Sequence, residues 1–357
     1  MREFLYNLAT DKHKGIIFVI FKALLFILSL IYTLIVRALV LFYSLRPCRL
    51  DCKVISVGNI TVGGTGKTVL VEYIARYLQS QGRKVAILSR GYKKRVTTSP
   101  RHHVTNVEAM GDEPYMLYQK LEGIPVIVNP DRIKGAKQAI KEYGADTVIL
   151  DDGFQQWRIK KDLDIVAIDA GNPFGNRRLL PRGILREPLS SLKRADIFVL
   201  TKTNLHPDIQ GIETSLARIN PQAQVFAAGH QARGFYEIAR PDELLGLDSL
   251  AQKTVALFCG IGDPDSFEQL VLGLGIKAGL SFRFCDHYHY AQVDLDKIIQ
   301  AAKEKNIDTI ITTEKDAARL YAMRSTLYAL RILVLRIQIE FKNEQTFHHR
   351  LLRIYSA

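Results

Sequence analysis

Between Val54 and Thr68 an apolar run ends in a glycine-rich turn, and the turn opens a helix-like stretch. It reads Val54-Ile55-Ser56-Val57-Gly58-Asn59-Ile60-Thr61-Val62-Gly63-Gly64-Thr65-Gly66-Lys67-Thr68. Glycines at 63, 64 and 66 let successive backbone N–H groups turn inward. Together with the helix N-terminus, those groups cradle phosphate oxygens. Lys67 reaches the β- and γ-phosphates, and the Thr68 hydroxyl can sit on Mg²⁺. Thr61, Val62, Gly63, Gly64, Thr65, Gly66, Lys67 and Thr68 are therefore the expected nucleotide-binding residues. The loop departs from G-x-x-x-x-G-K-[ST] at its first position, Thr61. Val62 stands where dimer-dependent switch ATPases place an extra lysine, which weakens that reading.

A phosphate loop of this kind belongs in an open parallel sheet, and the downstream pattern agrees. Short β-rich runs at Lys53–Gly58, Lys84–Ser89, Pro125–Asn129, Thr147–Asp152, Leu163–Asp169 and Asp196–Thr201 alternate with helical periods such as Val69–Gln79 and Arg132–Tyr143. The expectation is a P-loop NTPase-like, doubly wound α/β sheet. Two short runs, Gln224–Ala228 and Gly234–Ala239, suggest a connecting ribbon. A second α/β series follows: strands at Thr254–Gly260, Gly279–Phe284, Asp308–Thr313 and Arg331–Glu340, with helices near Ser266–Leu274 and Val293–Lys305. The expected division is an N-terminal membrane-associated helix at 1–47, a P-loop core at 48–230 and a smaller C-terminal α/β domain at 231–357.

Residues Gly15 to Leu45 are dominated by Ile, Leu, Phe and Val, and Ala23–Val36 has no charge. Two readings stand: one transmembrane helix over about Ile16–Tyr43, or an interfacial or re-entrant helix. Lys22 and Arg37 fall on neighbouring sides of such a helix and could snorkel at its ends. A cleaved signal peptide is disfavoured, because Arg46-Pro47-Cys48-Arg49 follows the apolar stretch instead of a small-residue cleavage site. The net charge of +13 fits nucleic acid, an anionic membrane surface or a phosphorylated substrate. The apolar segment turns that choice toward membrane and phosphate and away from nucleic acid. Cys48, Cys52, Cys259 and Cys285 form no C-x-x-C pair or zinc-type run, so reduced, unpaired thiols are expected.

Thr147-Val148-Ile149-Leu150-Asp151-Asp152 is an apolar strand ending in two carboxylates, the Walker B arrangement. Such a strand tip beside a phosphate loop holds Mg²⁺, directly or through water. Gly111-Asp112-Glu113-Pro114 precedes a helix and alone reads as a cap. In Asp286-His287-Tyr288-His289-Tyr290 a histidine beside an aspartate can relay protons or bind metal; alone it is a surface loop. Asn176–Pro188 holds Arg177, Arg178, Arg182 and Arg186, forks that suit phosphate oxygens or a solvated loop.

Eight segments occur in one order: Val57–Thr68, Leu88-Ser89-Arg90-Gly91-Tyr92, Gly111-Asp112-Glu113-Pro114, Asp151-Asp152-Gly153-Phe154-Gln155, Leu180–Pro188, Cys259-Gly260-Ile261-Gly262-Asp263-Pro264, Phe284-Cys285-Asp286-His287 and Thr312-Thr313-Glu314-Lys315-Asp316. As a set they strongly resemble the tetraacyldisaccharide 4'-kinase family, the lipid A 4'-kinases of Gram-negative bacteria. The resemblance runs from the apolar helix to at least Arg319. It implies transfer of the γ-phosphoryl group of ATP to the 4'-hydroxyl of a tetraacylated glucosamine disaccharide 1-phosphate, the lipid A precursor. It implies ATP and Mg²⁺ as cofactors. It also implies a bacterial inner-membrane location, with catalytic domains on the cytoplasmic side, contact with inner-membrane lipid and no obligate protein partner.

Carried over by motif, Lys67, Asp112, Asp152 and His287 are the expected catalytic residues. Thr68, Asp151 and Glu187 are the expected metal positions, with Glu187 either touching metal or only holding arginines. Glu113, Arg132, Gln155 and Arg186 are the expected substrate contacts. The resemblance suggests Asp112 as base and His287 as orienting or relaying group, on facing domains that close to bring them together. Three positions depart from the family pattern: Val69 replaces Pro, Gln156 replaces His, and Tyr288 interrupts Asp-His-His, with His289 following; His287 is favoured. A membrane-bound GTPase or assembly ATPase is the runner-up, since Val199-Leu200-Thr201-Lys202-Thr203-Asn204 sits where such proteins read a base. A nucleotide-binding scaffold would leave the acids and His287 unexplained.

Overall fold

The computed structural model describes residues 16–91, 97–98, 110–238, 240–320 and 331–356. Gly15, Tyr92 and Ala239, which take part in the sequence expectations, lie outside them. In chain order the elements are α1 (Ile16–Ser44), β1 (Lys53–Gly58), α2 (Lys67–Ser80), β2 (Val85–Ser89), β3 (Thr97–Thr98), α3 (Asp112–Lys120), β4 (Val126–Val128), α4 (Arg132–Tyr143), β5 (Thr147–Asp151) and β6 (Leu163–Asp169). They continue as β7 (Ile197–Thr201), α5 (Gln210–Ile219), β8 (Gln224–Glu237), β9 (Arg240–Leu245), β10 (Thr254–Cys259), α6 (Pro264–Leu272), β11 (Lys277–Arg283), α7 (Gln292–Glu304), β12 (Thr309–Thr313), α8 (Glu314–Leu320), β13 (Arg331–Phe341) and α9 (Glu344–Leu352).

The chain forms two compact units. One comprises Met1–Arg90, Asn129–Gly229 and Phe341–Ala357, and the other Gly91–Val128 and His230–Glu340. One change of unit falls between Gly229 and His230, and the division is not two continuous blocks. Residues 91–128, expected in the P-loop core, pack with the second unit. The C-terminal 341–357 return to the first. A single cut cannot represent a chain that leaves a unit and comes back.

In the first unit the strand order is β2-β5-β1-β6-β7-β8, all parallel. Runs such as Val-Ala-Ile-Leu in β2 and Ile-Phe-Val-Leu in β7 are buried along their length. A parallel sheet covered on both faces requires that continuity rather than alternation. Val57 of β1 pairs with Asp151 of β5, which sets the acidic strand tip beside the start of the phosphate loop. Ligands of open α/β sheets bind at these carboxyl ends. Helix α2 buries Leu70, Val71, Ile74, Ala75 and Leu78. Helix α9 stacks Phe347 on Phe341 with ring centroids 4.1 Å apart. The Asp131 carboxylate caps α4 by accepting from the Ile133 and Lys134 amides, and Gly144 closes the helix at φ 61.

Helix α1 is 29 residues long, a span of about 44 Å. Among its described residues, Phe18–Ser44 is long and apolar enough to cross a membrane. Ser29 and Val36 are buried, whereas Ile20, Leu24, Ile27, Leu30, Leu34 and Leu41 are exposed. A polar pair fixes the docked side: Ser29 Oγ donates to the Leu179 carbonyl (3.0 Å) and Tyr32 OH to the Arg186 carbonyl (2.9 Å). The apolar helix is thereby tied to the arginine-rich loop.

In the second unit β11-β10-β12-β13 form a parallel set, and β9 runs antiparallel to β8. The two short runs expected as a ribbon are one 14-residue strand, β8. Its middle, Gly229-His230-Gln231-Ala232-Arg233-Gly234, reads as loop by composition. Gly234 adopts φ 155, and a Cβ there would lie 2.5 Å from the Leu245 carbonyl oxygen. Close approach to β9 explains that glycine.

Candidate active site

The phosphate loop is held open from three directions in the first unit. Val62 N donates to the Ile184 carbonyl (2.8 Å) and Arg186 N to the Ile60 carbonyl (2.8 Å), so the arginine-rich loop pairs with the start of the turn. Asn59 Nδ2 donates to Thr65 Oγ1 (3.1 Å), and Thr201 Oγ1 donates to the Thr65 carbonyl (3.0 Å). Gly63 at φ 121 and Gly66 at φ 75 occupy backbone regions that disfavour other residues, and α2 begins at Lys67. The strand tips are packed just as closely. A Cβ on Gly58 would lie 2.4 Å from the Phe154 amide nitrogen, and one on Gly153 would lie 2.6 Å from Ser56 Oγ. Only glycine lets β1 and the Asp-Asp-Gly-Phe turn approach this far.

Asp152 takes the left-handed conformation at φ 54, an unfavourable choice for a non-glycine residue, and it turns toward cations. Lys67 Nζ is 3.5 Å from Asp152 Oδ1, and Arg186 Nη1 donates to both carboxylate oxygens at 2.9 and 2.7 Å. Burial alone would raise the Asp152 carboxyl; Lys67 and Arg186 outweigh it and hold the group below the usual carboxylate range. Asp151 is buried, with the Ser89 hydroxyl 3.4 Å from Oδ2. The Thr68 hydroxyl at the first turn of α2 and the Asp151 carboxylate are hard oxygen donors. Among the described residues, no group of three or more His, Cys, Asp or Glu could hold a metal unaided. That set fits Mg²⁺, which takes the rest of its shell from phosphates and water.

Three expected site residues are engaged within the protein. Arg132 is buried and donates to the carbonyls of Asn129 (2.9 Å) and Asp151 (3.3 Å). Burial draws its guanidinium down to about 10. Expected as a substrate contact, it braces the backbone behind the Walker B acid. Gln155 Nε2 donates to the Asn59 carbonyl (3.1 Å) and to Glu187 Oε1 (3.0 Å). Glu187, with 0% of its surface exposed, accepts Arg194 Nη2 on both oxygens at 3.0 and 2.8 Å, and Trp157 Nε1 lies 3.4 Å away. These neighbours engage Glu187 with Arg194, the arginine-holding one of its two expected roles. Removing one partner of a buried ion pair costs about 3 kcal/mol. Glu187→Ala should lower unfolding stability by that order in a denaturant titration. Native stability with lost Mg²⁺ affinity would favour the metal role instead.

The tract from Val199 to Asn204 lies in this unit. Lys202, left-handed at φ 58, is buried in an ion pair with Asp169.

The second unit assembles the remaining candidates. His287 Nδ1 and Asp112 Oδ2 are hydrogen-bonded at 3.0 Å. The expectation that domain closure brings the two together is therefore corrected: both lie in one unit and already touch. His287, not His289, makes this bond. Arg319 Nε donates to the same Asp112 Oδ2 at 2.7 Å. Helix α8 grips α3 by further pairs, Lys315 with Glu113 and Glu314 with Lys120. Glu113, expected as a substrate contact, is thus a partner of Lys315. Burial would raise the Asp112 carboxyl; the His287 hydrogen bond and the Arg319 charge outweigh it and hold it well below the carboxylate range. The bond to Asp112 raises His287 above the usual imidazole value against burial, and Asp286 adds to the rise.

A strand-turn-helix phosphate cradle, a Walker B strand beside it and hard oxygen donors for Mg²⁺ define a P-loop nucleotide-using protein. The model of the family described as tetraacyldisaccharide-1-P 4'-kinase matches residues 21–356. The tetraacyldisaccharide 4'-kinase of Halothermothrix orenii is 39% identical over 344 residues, covering 89% of this chain and 88% of that one. The enzyme of that name from Desulfatibacillum aliphaticivorans is 36% identical over 342 residues, covering 91% and 90%. Among solved structures, the "apo" form of LpxK from Aquifex aeolicus in complex with ATP superposes with a TM-score of 0.74 at 30% identity, covering 94% of this chain and 99% of that one. The chain belongs to the tetraacyldisaccharide-1-P 4'-kinase family.

Proposed function

We propose that the protein transfers the γ-phosphoryl group of ATP to the 4'-hydroxyl of a tetraacylated glucosamine disaccharide 1-phosphate, the lipid A precursor. The observation that carries this reading beyond nucleotide binding is the hydrogen-bonded Asp112–His287 pair, a proton acceptor that a nucleotide switch does not need. Phosphoryl transfer is governed by positioning and charge neutralisation. The backbone of Thr61–Thr68 holds the triphosphate, and Lys67 and Arg186 supply cationic charge to the transferring group. Mg²⁺, held through Thr68 and Asp151, would offset phosphate charge when bound.

The acceptor oxygen forms its bond to the γ-phosphorus as the bond to the ADP oxygen breaks. The hydroxyl proton passes to the Asp112–His287 pair. Asp112 is the poorer final resting place, because the Arg319 charge and the hydrogen bond from the neutral His287 ring hold it ionised. The proton ends on His287, as the relay expected from the resemblance requires. The exposed apolar side of α1 suits inner-membrane lipid, with the catalytic units on the cytoplasmic side, where ATP is available.

The decisive assay uses γ-labelled ATP, Mg²⁺ and detergent-dispersed disaccharide 1-phosphate, with thin-layer separation of lipids. Label should move to a lipid of one added phosphate. Release of free phosphate without lipid labelling would favour the GTPase or assembly-ATPase reading.

A further inference from the structure

Arg319 is the least expected member of the second unit's cluster, and it ties several of the others together. Its guanidinium spans two carboxylates: Nε on Asp112 Oδ2 (2.7 Å) and Nη1 on Asp316 Oδ1 (2.9 Å). Nη1 also donates to the Gly260 carbonyl at 2.6 Å. That carbonyl accepts the His287 amide at 3.2 Å, so one oxygen ties the arginine to the backbone of the histidine. His287 itself is left-handed, at φ 59.

Asp316 is the anchor. It is fully buried; Oδ1 accepts the Gly260 amide (3.0 Å) and Tyr290 OH (2.8 Å), and Oδ2 accepts Thr313 Oγ1 (2.7 Å). A buried carboxylate satisfied on both oxygens is a rigid base for the guanidinium. Gly260 sits at a crowded centre: a Cβ there would lie 3.0 Å from Tyr290 OH and 3.3 Å from Arg319 Nη1 and would press on both.

We propose that Arg319, fixed by Asp316 and the Gly260 carbonyl, is a positioning residue that clamps Asp112 Oδ2 against His287 Nδ1 and sets the protonation of that pair. This deepens the kinase reading of the site, on which it rests. Arg319 acts through Asp112 and does not touch the reacting atoms. Both partners share Oδ2, so that oxygen is held between Arg319 and His287. A fork anchored at its far end does this where a flexible ammonium cannot.

The groups facing His287 are Asp112, Asp286, Glu113 and Arg319, with Lys315 on Glu113. Of these, Arg319 opposes the imidazolium charge and the acids favour it. Removing the guanidinium while keeping Asp112 should therefore raise the titration midpoint of His287. The pair would stay protonated to higher pH.

The test follows the imidazole signals of His287 by NMR in the full-length protein in detergent, without substrate, in native, Arg319→Gln and Arg319→Lys chains. In Arg319→Gln the midpoint should move upward by about half a unit or more, and the acid limb of kcat should move with it. Arg319→Lys keeps the charge and should titrate as native, with kcat reduced by loss of the fork. ATP binding by each variant checks that the first unit is folded. A His287 midpoint unmoved in folded Arg319→Gln would overturn the proposal. The titration needs no turnover, so it is decided separately from the kinase reading. If Arg319→Gln does not fold, a native-like limb with native kcat in Arg319→Lys overturns it equally.

Discussion

Replacing His287 by alanine should leave ATP binding intact and slow phosphoryl transfer by roughly 10²–10⁴, the range for losing a positioned acid–base group. Asp112→Ala should fall in the same range, and the double variant should be little worse than either. Residues acting as one unit do not add. The basis is the 3.0 Å bond between Nδ1 and Oδ2. Nucleotide affinity is spared because the residues assigned to the triphosphate belong to the other compact unit. The reaction needs the pair unprotonated, and His287 titrates above its ordinary value of about 6.5. Turnover should therefore climb as pH rises through the raised midpoint.

Stability should run the other way. A raised histidine contributes fully below its unfolded pKa, and that contribution fades as pH rises through the folded one. Asp112, lowered, contributes at all pH values above its unfolded pKa and loses that only in strong acid. Wild-type turnover in either single variant would remove the pair from the mechanism.

The phosphate side of this protein was largely legible from the chain itself. Strand, glycines, Gly-Lys-Thr and helix lie within Val54–Thr68, and local rules of turn and cap govern them. The Walker B acids followed from a continuous apolar run, the mark of a strand buried on both faces. What failed to show was long-range. Glu187 reads as one more acid in a basic loop, and only packing reveals Arg194, Gln155 and Trp157 around it. Arg132 is expected from the resemblance as a substrate contact, and in the fold it braces the Asp151 carbonyl.

The pairing of Asp112 with His287 spans 175 positions. Residues 91–128 lie, in sequence, inside the P-loop series, which is why the order of the chain points to facing domains. The motif Thr312-Thr313-Glu314-Lys315-Asp316 was visible without a role. Its helix presents Glu314, Lys315 and Arg319 toward α3, and the i,i+3 step from Asp316 to Arg319 was the one local signal that could have disclosed the clamp.

Lys67→Ala should be the most damaging single change in the first unit, lowering kcat by roughly 10²–10³, the cost of removing one preorganised charge that stabilises a transition state. At rest the Lys67 ammonium lies 3.5 Å from Asp152, which Arg186 also holds. The ammonium thus has a local counter-charge before nucleotide arrives, and it is positioned beside the loop. Loss of the side chain leaves Asp152 balanced by Arg186, with Arg132 behind it, so the fold should persist while the β- and γ-phosphates lose their cation. Lys67→Arg separates charge from shape. It keeps the cation but brings a planar fork to a site built around the short reach of an ammonium, and it should recover binding more than turnover. The measurement is kcat and the ATP KM for each variant, beside nucleotide affinity by calorimetry. A Lys67→Ala enzyme with native kcat and only a raised KM would show that the residue binds ground state and transition state alike, and the charge argument for transfer would then have to rest on Arg186.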